Sequence, residues 1–379
     1  MQVEKTKWHS WCTGKLAKGC RQCVEGRKLV LFITGLCAQR CWYCPVSEQK
    51  FGKDVVFANE WQINNIDNPI ELIKEAELTK ASGAGITGGD PLAQTERCCK
   101  YIRLLKERFG TRFHVHLYTP LKLVTKERLE KLFSSGLDEI RLHPDLDDNL
   151  LWERINLVCS FDWSVGIEIP AIPDYEDRIK RLIDFAYTKI DFLNLNELER
   201  SDTITHHYTL DSKGFKQKSE LSYGIKGSKE TALKILEYSA SKGLPAHFCT
   251  AKLKDSVQVI NRLKIRAQNV CTVFDEVSVE GLLIRPCVYL ASLVPGMDYK
   301  KNLKENNVKE TAKRLSALQA FLSKKYGAEC MIDSTKPRVF IAKALLIKSS
   351  RAIKKAGFVP TIVTEYPTSD ALEVEVDFL

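Results

Sequence analysis

From Leu29 to about Thr250 the chain alternates short apolar runs with longer amphipathic ones, and few architectures absorb that rhythm. Candidate strands are Leu29–Leu36, Gly83–Thr87, Phe113–Tyr118, Glu139–His143, Val165–Ile169, Phe192–Leu195 and Ala246–Cys249. Between them lie helical stretches such as Ile70–Ser82, Gln94–Phe109, Thr125–Ser135, Asp177–Tyr187 and Lys229–Ser241. Gly83, Gly110, Gly136 and Gly243 each stand just past an amphipathic run, where a helix stops. Six or seven βα units of this kind predict an α/β fold, a full or partial (β/α) barrel. In such barrels function gathers at the carboxyl ends of the strands.

The first of those ends carries Cys37-Ala38-Gln39-Arg40-Cys41-Trp42-Tyr43-Cys44, a C-x3-C-x2-C triplet with an aromatic residue before the last cysteine. Three thiolates on a tight loop can hold three irons of a four-iron, four-sulfur (4Fe–4S) cluster and leave one iron open to a ligand that is not protein. The competing reading is a zinc knuckle. It needs four ligands, usually as two separated pairs, and no fourth Cys or His stands beside the triplet. The second strand ends in Thr87-Gly88-Gly89-Asp90-Pro91, whose glycines permit close backbone approach to a ligand. Tyr118 and Thr119 close the third strand. Arg141 and His143 share one face of the fourth, Glu168 ends the fifth, and Asn194 and Asn196 share a face of the sixth, with Glu197 and Glu199 on the other.

The cysteine triplet and the glycine segment resemble the signatures of the radical SAM superfamily. Longer phrases, among them Lys28 to Cys37, Gly52 to Glu60, Gly83 to Pro91 and Asn194 to Glu199, resemble an archaeal group described as related to pyruvate formate-lyase activating enzymes, over residues 9–270. The resemblance implies a radical SAM barrel with the cluster on Cys37, Cys41 and Cys44. It also implies that the open iron chelates S-adenosylmethionine, which an electron splits into methionine and a 5′-deoxyadenosyl radical that takes hydrogen from a substrate. Gly88-Gly89-Asp90-Pro91 matches the family's Gly-Gly-Glu-Pro segment, with Asp90 in place of Glu, and is expected to hold the methionyl end. Tyr43 is expected beside the adenine. Thr119, Arg141, His143, Asn194, Asn196 and Glu197 are expected to serve cosubstrate or substrate, and a reductant protein such as ferredoxin or flavodoxin is implied. The group implies a cofactor and a fold but no substrate.

Upstream stand His9, Cys12 and the pair Cys20-Arg21-Gln22-Cys23, a metal-binding pattern open to zinc or to a second iron–sulfur cluster. His9 would complete a zinc site with Cys12, Cys20 and Cys23, whereas Cys249 would complete a four-thiolate set. An extended Leu29–Leu36, at ~3.3 Å per residue, puts its start about 25 Å from the Cys37 loop. Cys249 closes a parallel strand and belongs at the mouth, so the two placements agree only if residues 24–28 fold back.

Thirteen cysteines, an odd number, fit metal ligation and reduced thiols better than a disulfide framework. The N-terminal residues lack the apolar core of a signal peptide, and no charge-free apolar run of ~18 residues exists, so a cytoplasmic protein without a membrane span is expected. The formal charge of +9 is unevenly placed: residues 300–355 carry +11 and the remainder −2. A basic face can bind RNA or another polyanion, although solvated helices also collect lysines. The expected division is a metal-binding segment over 1–27, the barrel over 28–270 and a small basic α+β domain over 271–379. In that last part Glu276–Leu290 reads as strand, Lys309–Tyr326 as helix, Arg338–Ile347 as strand and Ser349–Ala356 as helix. Lys252 to Arg266 reads as one amphipathic helix that covers the sheet with Val257, Ile260 and Leu263. Three substrate classes stay open: RNA, a glycyl-radical protein to be activated, and a small metabolite. Outside enzymes altogether, a metal-stabilised RNA-binding protein would fit.

Overall fold

The computed structural model describes residues 1–379, the side chain of Lys300 excepted. By internal packing it divides into two units, Met1–Arg262 and Leu263–Leu379, each with a core of its own. Among the described residues no helix is long and apolar enough to cross a membrane.

The first unit opens with β1 (Val3–Lys5), β2 (Trp11–Thr13) and α1 (Lys18–Val24). The βα alternation follows: β3 (Lys28–Phe32), the hairpin β4 (Phe57–Ala58) and β5 (Trp61–Gln62), α2 (Ile70–Leu78), β6 (Gly83–Thr87), α3 (Thr95–Phe109) and β7 (His114–Thr119). It continues through α4 (Lys126–Ser134), β8 (Glu139–Leu142), α5 (Arg154–Val158), β9 (Ser164–Ala171), α6 (Glu176–Ala186) and β10 (Phe192–Glu197). The hairpin β11 (Gln217–Ser219) and β12 (Ser222–Ile225), then α7 (Ser228–Ser241) and β13 (Ala246–Cys249), complete it. Each strand and helix expected here is present, Gly83–Thr87 and Ala246–Cys249 with the bounds expected and the others with one or both ends shifted by up to four residues. Of the expected helix stops, Gly110, Gly136 and Gly243 have positive φ, whereas α2 ends early at Leu78 and Gly83 opens β6 instead.

Seven strands run parallel in the order β3-β6-β7-β8-β9-β10-β13, with β4 and β5 added antiparallel on one edge and β2 and β1 on the other. Among the described residues β13 pairs with β2 and not with β3, so the barrel is partial. Along each strand the period is two. Outward residues such as Leu29, Leu31, Ile140, Leu142, Val165, Ile167 and Ile169 are buried in the apolar core with the helices. Inward residues are polar instead: Lys28, Tyr118, Arg141, Glu168, Asn194, Asn196 and His247 line one cavity to which all seven parallel strands contribute. A sheet can do that only by curling. Closed barrels fill this space with branched apolar side chains; a polar lining leaves it free for a ligand.

The helix α1 falls within a segment read from sequence only as metal-binding. It seats against the inner wall, and Gly19 makes that possible: a Cβ there would stand 2.5 Å from His116 Cε1 and 2.7 Å from Arg141 Nη2. Gln22 Nε2 donates to Ser82 O at 2.9 Å, at the start of β6. After β13 the chain is α-helical in α8 (Ala251–Leu253), π-helical over Lys254–Val259 and α-helical again in α9 (Ile260–Val270). This departs from the single amphipathic helix expected: Val257 and Ile260 are only half-buried, and the π segment buries none of its residues fully. Residues of α9 bond to α1 and to the β4–β5 hairpin. Asn261 Nδ2 donates to Val24 O at 2.7 Å, and Arg262 pairs with Glu60 beside β4.

The second unit is an antiparallel sheet with helices. The strands are β14 (Glu276–Val277), β15 (Leu283–Leu290), β16 (Cys330–Ile332), β17 (Arg338–Ile341), β18 (Phe358–Glu365) and β19 (Glu373–Phe378), in the order β16-β17-β15-β18-β19 with β14 on β15. The helices are α10 (Tyr299–Glu305), α11 (Val308–Tyr326) and α12 (Lys343–Lys355). The strand expected over Arg338–Ile347 stops at Ile341. Leu346, Ser349 and Ile353 recur at helical spacing and are buried, so the apolar run continues as α12.

Candidate active site at the strand ends

Cys37, Cys41 and Cys44 follow β3 on a loop, half-buried, and all three line the cavity, which has a volume of about 600 Å³. Burial pushes Cys37 up to about 11, with Asp90 and Cys44 adding to it, and Cys41 up to about 12, with Cys44 and Cys37 adding to it. A bound metal ion would remove the repulsion and the desolvation cost together. The loop is braced from several directions. Cys44 N–H donates to Cys41 O at 3.0 Å, Lys122 Nζ to Ala38 O at 3.1 Å and Arg97 Nη1 to Ile33 O at 2.9 Å. Trp42 stacks on Phe215 with ring centres 5.4 Å apart, so the segment after β10 supports its outer side.

The loop after β6 is stitched to this one. Gly89 N–H donates to Thr34 O and Asp90 N–H to Leu36 O, both at 2.8 Å. Gly88 has φ +149°, and a Cβ there would lie 2.3 Å from Thr34 O; one at Gly89 would lie 2.4 Å from Leu36 O. The two glycines therefore serve loop–loop contact as well as the cavity, which both line. Asp90 differs from its expected place. It is fully buried and does not line the cavity: Oδ1 accepts from Leu92 N–H at 3.0 Å and from Thr119 Oγ1 at 2.7 Å, while Oδ2 has no partner among the described residues. Asp90 caps the short helix Pro91–Gln94 and ties β6 to β7. Thr119 lines the cavity, with its hydroxyl turned to Asp90.

Deeper in the barrel the polar residues form one network. Arg141 Nε donates to Glu139 at 2.6 Å, and Nη1 donates to Glu168 Oε2 at 2.8 Å and to Tyr118 OH at 3.2 Å. Asn194 and Asn196 donate to the two oxygens of Glu168 at 2.9 and 3.0 Å. Burial would raise the Glu168 carboxyl, but Arg141 and the two amides outweigh it and hold it near about 2. Higher up, Tyr43 OH and His143 Nε2 are 2.9 Å apart, and His143 Nδ1 lies 2.8 Å from Glu168 O. The second contact must be N–H to carbonyl, so Nε2 is free to accept from Tyr43. Burial lowers the His143 pKa, in keeping with a neutral ring. Glu197 turns away from the cavity: it pairs with Lys218 and accepts from Ala251 N–H at 2.9 Å, at the start of α8.

The upstream cysteines separate. Cys20 and Cys23 on α1 and Cys249 at the end of β13 line the same cavity as the Cys37 loop. Residues 24–28 do fold back, at Gly26, and α1 lies inside the barrel rather than below it. Cys12 does not join them. It lies on β2 opposite Glu4 and His247, and burial followed by the Glu4 carboxylate raises its thiol. His9 is exposed, and its carbonyl accepts from Thr250 Oγ1 at 2.8 Å. Among the described residues no three of His, Cys, Asp and Glu approach as closely as one ion demands.

Tyr118 and Glu168, read from sequence as strand-end residues, line the cavity, and so do Lys28, His247, Lys254 and Gln258, which sequence reasoning did not single out. Those four needed the curl of the sheet and the π segment.

The family model described as "Radical SAM superfamily" matches residues 31–186. A Methanocaldococcus jannaschii protein provisionally named a glycyl-radical enzyme activating enzyme is 38% identical over 371 residues, which span 95% of this chain and 92% of that protein. GTP 3′,8-cyclase of Staphylococcus saprophyticus is 29% identical over 130 residues, 34% of this chain and 37% of the cyclase. Among solved structures, methylornithine synthase superposes with a TM-score of 0.36 at 16% identity, covering 57% of this chain and 66% of the synthase. A radical S-adenosylmethionine methyltransferase from Kitasatospora setae gives 0.35 at 10% identity, covering 49% of this chain and 39% of its own.

Proposed function

This chain belongs to the radical SAM superfamily, and from that premise we propose that Cys37, Cys41 and Cys44 hold its 4Fe–4S cluster while the adjoining cavity takes S-adenosylmethionine and the substrate that loses hydrogen. It is an enzyme whose cofactors are that cluster and S-adenosylmethionine. When bound and reduced, the cluster supplies the electron that splits S-adenosylmethionine into methionine and a 5′-deoxyadenosyl radical. One observation supports the residue assignment: the three thiols, the Gly88 and Gly89 backbone and the Glu168 network line a single cavity.

The chain's own groups bind and orient. Gly88 and Gly89 offer main chain to the methionyl end, and Tyr43 with His143 forms a neutral hydrogen-bonded wall beside the cysteine loop. Glu168, held near about 2, stays ionised at any working pH and fixes Arg141, Asn194 and Asn196 toward polar groups of cosubstrate and substrate. It positions; it does not shuttle protons. Anaerobic reconstitution with iron and sulfide, then dithionite and S-adenosylmethionine, is expected to release 5′-deoxyadenosine, and Cys41→Ala to release none. A cluster-loaded, reduced wild-type sample that forms no 5′-deoxyadenosine overturns the reading.

The 38% identical relative favours a second, narrower reading, in which the substrate is a glycyl-radical protein and the electron comes from a partner of the ferredoxin or flavodoxin class. Mixing the reduced enzyme with such a protein should then give the EPR doublet of a glycyl radical. Hydrogen loss from a small metabolite with no protein radical would replace it.

A further inference from the structure

We propose that Cys20, Cys23 and Cys249 hold a second iron–sulfur cluster in the cavity that the first one shares. The proposal rests on the function above only for the first cluster's identity. Cys20 and Cys23 stand at i and i+3, on one face of α1, and β13 delivers Cys249 to the same space. The carboxamide seated between Cys23 and Cys249 speaks for a cluster over a single ion. Gln258 spans the two sulfurs, with Oε1 3.1 Å from Cys23 Sγ and Nε2 3.7 Å from Cys249 Sγ, so a whole carboxamide fits where a lone zinc would have to touch both. A cubane sets its thiolates wider apart than one ion does, and Gln258 would swing aside to admit it.

The surroundings fit that group. Asn194 Nδ2 lies 3.2 Å from Cys20 Sγ, an N–H···S contact of the kind that tunes iron–sulfur sites. Lys28 lines the cavity with Tyr118 OH as hydrogen-bond partner at 3.3 Å, and among the described residues no carboxylate stands in ion-pair range of it. Glu168 acts on it from beyond that range, and burying an ammonium still carries a desolvation cost. Three thiolates on a doubly charged 4Fe–4S core carry one net negative charge, which would answer it. The π-helical turn Lys254–Val259 directs Lys254 and Gln258 at the same space, and such turns are concentrated at functional sites.

Iron, acid-labile sulfide and EPR of the anaerobically reconstituted full chain test this. Wild type is expected to bind about eight irons, and both Cys37/Cys41/Cys44→Ala and Cys20/Cys23/Cys249→Ala about four, each with a reduced-cluster signal of its own. The single variant Cys249→Ser, checked for folding by circular dichroism, should alter one signal and spare the other. The proposal fails if wild type stops at about four irons, if the Cys20/Cys23/Cys249 variant keeps the full wild-type content, or if those cysteines take up zinc in place of iron. Loss of 5′-deoxyadenosine formation with both iron sets intact would sink the proposed activity and leave this site standing.

Discussion

Asp90 is fully buried, with one carboxyl oxygen bonded twice and the other bare, and burial pushes its pKa up to about 6. The folded chain therefore holds a proton that the unfolded chain releases earlier. The associated stability is complete below the unfolded value of about 4 and is lost as pH rises toward about 6, by about 2–3 kcal/mol in all. Asp90→Asn keeps an acceptor for Leu92 and Thr119 and should flatten that pH dependence; denaturant midpoints at pH 4.5 and 7.5, compared with wild type, check it. Glu168 behaves in the opposite sense. Its contribution is present above the ordinary carboxylate range and fades only as pH falls toward about 2, so it adds no pH dependence near neutrality. Glu168→Gln strips Arg141 of a buried partner and is expected to cost about 3 kcal/mol and most of the 5′-deoxyadenosine formation. Unchanged stability and activity would show that Glu139 alone suffices for Arg141.

At the scale of elements, two loops from adjacent strands make the site, and Gly88 sets their spacing. Gly88→Ala would drive a methyl against Thr34 O in a backbone region that side chains rarely occupy. The variant is expected to fold, since the loop lies outside the sheet, yet to lose most of its iron at the first site; iron analysis and circular dichroism separate the two effects. The cysteine spacing, the Gly-Gly-Asp-Pro segment and the strands themselves were legible in sequence because each is written locally, in period or in motif. Helix α1 was not: Lys18–Val24 is a short helix whose place inside the barrel depends on Gly19 meeting His116 and Arg141, residues far along the chain. Nor was the π segment, whose sequence reads as an ordinary amphipathic helix.

At the scale of the molecule, the positive charge belongs to the second unit, where Lys309, Lys313, Lys324, Lys325, Lys354 and Lys355 are exposed on α11 and α12. Arg338 is instead sunk in ion pairs with Asp333 and Glu365, so not all of the basic surplus faces solvent. If the exposed set reads phosphate, RNA affinity should fall steeply with salt, and Lys324/Lys325/Lys354/Lys355→Glu should abolish it. Filter binding at two salt concentrations decides, and absence of binding marks a solvated face. The sequence by itself determined the βα rhythm, the C-x3-C-x2-C spacing and the family, because periodicity and short spacing are properties of neighbours along the chain. Only the tertiary structure decided that Cys12 and His9 stand apart while Cys249 joins Cys20 and Cys23, that Asp90 and Glu197 turn from the cavity, and that Glu168 holds its centre. Those outcomes depend on how far the sheet curls and which strand edges stay open, and that follows from packing across the whole barrel.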